Sequence, residues 1–101
     1  MIVVRHNSDQ GRYEAWSGDT LAGFAAYALD GRRIIFTHTE VDEAFEGQGV
    51  GSAIAQWALD DVRNRGGLVV VPRCPFIRGW IDRHPHYADL TQGGAAPTGQ
   101  E

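Results

Sequence analysis

Apolar and polar positions change rhythm along this chain, and each rhythm predicts an element. Residues 12–16 alternate, with Tyr13 and Ala15 set against Arg12 and Glu14, the period of a strand with one buried face. Residues 20–29 are apolar enough for strand or helix. Asp30-Gly31 decides for a strand, because that dipeptide suits a tight hairpin into residues 33–41. These make an antiparallel meander. The spacing then lengthens: Val50, Ile54, Trp57, Ala58 and Val62 recur at helical intervals, with Gln56, Asp60, Asp61 and Arg63 off that face. A helix is predicted over 51–65, closed by Gly66-Gly67. Residues 68–71 are a continuous apolar run, the pattern of a strand buried on both faces. A helical crossover makes it parallel to strand 33–41. Cys74 in the capping place and Pro75 at the first helical position open a second helix, which carries Phe76, Ile77, Trp80 and Ile81 and ends near Arg83 before Pro85. Residues 1–5 are a short apolar opening, and 91–101 lack periodicity and are predicted to be a disordered tail. The fold class is α+β, with a mixed central sheet.

One hundred and one residues make one small domain, over residues 1–90. A net charge of −4 argues against a nucleic-acid or anionic-membrane surface. With one cysteine there is no internal disulfide, and nothing in the sequence resembles a leader or a membrane span, so neither is expected. These features predict a soluble, cytoplasmic protein, taken as a monomer.

The chemistry lies in Glu46-Gly47-Gln48-Gly49-Val50-Gly51-Ser52, between strand and helix. A glycine-dense turn opening a helix presents free N–H groups and the positive end of the helix dipole to phosphate oxygens. A Walker loop needs a lysine, and the chain has none. A dinucleotide fingerprint needs a third glycine and an acidic residue ending a second strand, and neither is in place.

The order of elements and the run Glu46-x-x-Gly49-x-Gly51 resemble the acetyl-CoA-binding half of the GNAT superfamily of N-acetyltransferases, whose fingerprint is Gln/Arg-x-x-Gly-x-Gly/Ala. His38-Thr39-Glu40-Val41, Pro72-x-Cys74-x-Phe76 and His84-Pro85-x-Tyr87-x-x-Leu90 resemble a subgroup of very short, single-cysteine GNAT-like proteins. The resemblance implies that the amides of Gln48, Gly49, Val50, Gly51 and Ser52 hold the pyrophosphate of acetyl-CoA. It also implies that the backbone of Val41 pairs with the pantetheine arm, and that Cys74 lies beside that arm. It implies acetyl transfer to an amine, with a CoA-binding sensor or interaction module without activity as the alternative. Further strands usually follow the last helix in that superfamily. Here a short polar tail follows, which implies a cleft open to a large acceptor such as a protein tail.

Three departures matter. Glu46 puts a carboxylate where the fingerprint has Gln or Arg, Ile35 stands where many relatives carry a glutamate base, and Ile81 stands where they carry a tyrosine acid. Candidate replacements are Cys74, His38 and Glu40. Cys74 could accept the acetyl group, assist the leaving thiolate, or be a buried small hydrophobe. His38 and Glu40 share one strand face by period two, with Thr37 and Thr39 on the other, unless a bulge shifts the parity. Either could take the proton of a charged amine. No metal site is expected, since His84 and His86 have only Cys74 as a plausible further ligand.

Overall fold

The computed structural model describes residues 1–92. Five strands form one sheet in chain order: β1 (Val3–Asn7), β2 (Arg12–Ser17), β3 (Thr20–Asp30), β4 (Arg33–Val41) and β5 (Val69–Pro72). The first four pair antiparallel and β5 lies parallel to β4. Helix α1 (Val50–Arg65) bridges β4 and β5, and α2 (Pro75–Arg83) follows β5. The sheet is therefore mixed, as expected from a meander followed by a helical crossover.

Three readings are corrected. The apolar opening is the edge strand β1, in register with β2 from Val3↔Trp16 to Asn7↔Arg12. Val50, Ile54, Ala58 and Val62 are buried as expected, but Trp57 is 40% exposed and Ala55 and Leu59 join the core, so the stripe of α1 leaves out Trp57 and widens on its other side. Thr91 and Gln92 belong to an ordered 3-10 segment, Pro85–Gln92, and the rest of the predicted tail, 93–101, lies outside the described residues.

That 3-10 segment is tied down at several points. Tyr87 is buried and donates to Asp60 at 2.7 Å. Arg63 grips Asp89 with two nitrogens, at 2.8 and 2.9 Å, and also donates to the carbonyl of His86 at 2.9 Å. The main core lies between the sheet and the helices, where Tyr13, Phe36, Ile54, Leu59 and Ile77 are fully buried.

At the C-terminal end of α1 a polar cluster joins the helix to the edge of the sheet. Tyr13 and Arg65 both donate to Asp61 at 2.8 Å, and Arg65 also donates to His6 Nδ1 at 2.9 Å. The His6 ring stacks on Tyr13 with centroids 4.3 Å apart, and its Nε2 meets the Tyr27 hydroxyl at 2.6 Å. Burial, then the Arg65 charge, hold His6 below its ordinary pKa, against the opposing pull of Asp61. Burial alone would raise Asp61, but hydrogen bonds from Arg65 and Tyr13 outweigh it and hold the carboxyl low. The native state therefore binds fewer protons at both sites than the unfolded chain does. The His6 contribution is complete above the ordinary imidazole value of about 6.5 and is lost as pH falls through it, with Asp61 following at lower pH. Denaturant titrations between pH 7.5 and 5 are expected to show falling stability in wild type and a flatter curve in His6→Phe. Parallel curves would contradict this assignment.

Candidate functional site

The strand that leads into the site carries a one-residue insertion. β3 and β4 pair regularly through Tyr27↔Phe36, then resume at Ala26↔His38, leaving Thr37 as the extra residue of a bulge. The parity flips there. Thr39 and Val41 turn to the helix side of the sheet, while His38 and Glu40 lie on the opposite, exposed side. Thr37 is exposed and donates to Ala26 O, so the predicted pairing of Thr37 and Thr39 on one face does not hold.

β5 pairs with β4 only as far as Phe36↔Pro72. The chain then bends away into α2, with one further backbone bond from Cys74 N to Phe36 O at 2.9 Å. Beyond it, the β4 edge has no strand partner on that side among the described residues. Asp42 N bonds to Ala22 O on the β3 side. By alternation, the backbone groups of Thr39 and Val41 point into the opening.

After a single 3-10 turn, Glu43–Phe45, capped by the Asp42 side chain, the chain enters the glycine run. Gly47 and Gly49 take φ values of 83° and 76°, which only glycine adopts without strain. Gly49 is the N-cap of α1 and supplies no side-chain cap. The first-turn N–H groups of Val50, Gly51 and Ser52 therefore lack an intrahelical partner and project from the positive end of the helix. Gly51 serves packing as well. A Cβ there would lie 2.8 Å from Phe76 Cζ, so its absence lets α2 approach.

These elements enclose a cleft of about 390 Å³. Val41, Gly49, Val50, Gly51 and Ser52 line it, as do Phe45, Glu46 and Gly47. Gln48 stands apart from it: its N–H is used within the turn, donating to Phe45 O at 3.3 Å. The opposite wall is one face of α2, made by Phe76, Trp80, Arg83 and His84. Trp80 is locked in place by a 2.8 Å bond from Nε1 to Ser52 Oγ and by stacking on His84 at 3.8 Å. This wall was not among the binding residues expected from the sequence. Its signal was the spacing 76, 80, 83, 84, a second helical stripe beside the core stripe of Ile77 and Ile81.

Cys74 occupies the N-cap of α2 without a side-chain cap bond. It is buried, and its Sγ lies 3.2 Å from Thr39 Oγ1 at the point where β4 and β5 part. The Arg78 Nε nearby donates to Pro72 O at 3.2 Å. On the exposed side, His38 Nε2 and Glu40 Oε2 are 2.6 Å apart. An ionised carboxylate only accepts, so Nε2–H is the donor to Glu40, and in a neutral imidazole the lone pair then sits on Nδ1. The three candidate residues thus fall into two groups: Cys74 with Thr39 on the helix side, and the His38–Glu40 pair on the other. Ile81 is buried in the core, and Ile35 is half-buried on β4.

The family model described as GCN5-related N-acetyl-transferase matches residues 12–90. Among solved structures, the chain is similar to the ribosomal-protein-S18-alanine N-acetyltransferase from Escherichia coli, with a TM-score of 0.54 and 20% identity. That match covers 58% of this chain and 38% of the Escherichia coli chain, and at such identity it is a likeness of fold. No curated protein matches.

Proposed function

Because the chain belongs to the GCN5-related N-acetyltransferase family, we propose that it binds acetyl-CoA in the cleft at the start of α1 and transfers the acetyl group to an amine acceptor. The observation that carries this reading is the uncapped first turn of α1, opening into a cleft that runs beside the unpaired edge of β4. The N–H groups of Val50, Gly51 and Ser52 suit pyrophosphate oxygens. The backbone groups of Thr39 and Val41 suit an amide-bearing arm laid along the strand edge. The donor is a thioester, which supplies an acyl carbon open to attack.

The chain's own residues must then accept the proton of an ammonium and manage the departing thiolate. With Glu40 on Nε2, a neutral His38 presents its Nδ1 lone pair, an arrangement that suits a proton acceptor. The side chains are 56% and 61% exposed, which leaves room for an amine on a large acceptor such as a protein tail. Cys74, with Thr39 against it, suits the thiolate side of the reaction. A transient acetyl group on its sulfur is the alternative route, in which the amine later displaces the cysteine.

A second reading, a CoA-binding module without turnover, is favoured by Ile35 and by the burial of Ile81. Release of free thiol from acetyl-CoA in the presence of an acceptor pool separates the two readings. The enzyme reading expects release that needs the acceptor and persists in Cys74→Ala if transfer is direct. Binding without release supports the module. Turnover unchanged in both Cys74→Ala and Glu40→Gln would remove both chemical assignments.

A further inference from the structure

Two residues of opposite charge line the cleft, Glu46 on the glycine loop and Arg83 on α2. We infer that Arg83 is the cation that makes this cleft accept a phosphate group, supplying from α2 the positive charge that the loop lacks. This rests on reading the cleft as the acetyl-CoA site. The backbone N–H groups of the turn carry partial charge only, and Glu46 adds a full negative charge beside them. A polyanion in the cleft therefore needs a compensating cation on its other wall.

Arg83 is suited to that task by elimination among the arginines. Six of the nine are held by other groups: Arg12 by Glu14, Arg33 by Asp30, Arg63 by Asp89 and Arg65 by Asp61, with Arg32 and Arg78 on backbone carbonyls. The side chains of Arg5, Arg73 and Arg83 make no hydrogen bond or ion pair among the described residues, and of these only Arg83 lines the cleft. Its helix face is rigid. Trp80, three residues earlier, is pinned to Ser52 and stacked on His84. The guanidinium lies back over Gly79, 3.4 Å from where a Cβ would stand there. With no side-chain partner among the described residues, the arginine can swing toward the loop. Its planar fork matches two phosphate oxygens at once.

The test is calorimetric titration of CoA, and of phosphate-free S-acetylpantetheine, into wild type, Arg83→Gln, Arg83→Lys and Glu46→Gln. Arg83→Gln is expected to weaken CoA binding about five- to tenfold, the size of a partly exposed charge-assisted contact. Arg83→Lys should recover part of that loss, and Glu46→Gln should tighten CoA two- to threefold, on the order expected for removing one exposed like charge. None should change binding of acetylpantetheine. Near-ultraviolet circular dichroism checks that the exposed substitutions leave the fold intact. CoA binding by wild type that Arg83→Gln leaves within twofold overturns this assignment alone. No CoA binding by wild type overturns it together with the reading of the cleft.

Discussion

Trp80→Ala is expected to lower the melting temperature by about 15–25 °C, the largest stability effect of any single change discussed for this chain. The indole is 2% exposed, so its removal opens a cavity where α1, α2 and the Pro85–Gln92 segment meet. Truncation of a buried aromatic costs about 3–5 kcal/mol, against a total of about 5–15 kcal/mol for a small domain. Three contacts go with it: the bond to Ser52, the stack on His84 and the tilted approach of Tyr87 at 5.1 Å. Trp80→Phe keeps one aromatic ring but loses the hydrogen bond, about 1 kcal/mol, and part of the buried volume, so its loss should fall between that figure and the loss in Trp80→Ala. Thermal melts of both variants check this. A drop of less than about 5 °C in Trp80→Ala would mean that α2 is held mainly by Ile77 and Ile81. Because Trp80 also forms the wall of the cleft, the same variant should lose CoA binding even at temperatures where it remains folded.

The second large effect concerns turnover. His38→Ala is expected to reduce acetyl transfer about 100-fold at saturating donor, the usual contribution of a positioned general base. Glu40→Gln should cost less, about tenfold, because the amide oxygen can still accept from Nε2–H and hold the ring while its charge is lost. Neither residue lines the cleft, so CoA affinity should be unchanged in both. Initial rates of thiol release, paired with CoA titrations, give the two readouts. Loss of affinity in place of turnover would assign the pair to binding, and full activity in His38→Ala would remove it from the chemistry.

Much of this fold was legible because its signals are local. Alternation at 12–16, Asp30-Gly31 between two apolar runs, and the helical spacing from Val50 each report the backbone they occupy. Pro75 after Cys74 marked the start of α2 correctly, since its fixed φ and missing N–H belong at a first helical position. β1 escaped notice because only five residues pair, with a histidine inside the strand facing a polar cluster. The bulge at Thr37 was invisible to periodicity, as one extra residue leaves composition unchanged while reversing which side chains share a face. The cleft's loop wall was legible in its glycines. Its α2 wall was not, because Phe76 and Trp80 read equally well as core, and only the positions of α1 and β4 show that one face stays open.

The most direct test of the central claim is an amide NMR titration of the labelled protein with acetyl-CoA. The account predicts shifts centred on Val41 and on Gly49 to Ser52, extending along the α2 face through Trp80 to Arg83. Gln48 should move less, because its N–H is already taken by Phe45. Shifts confined to other parts of the sheet, or none at saturating ligand, would contradict it.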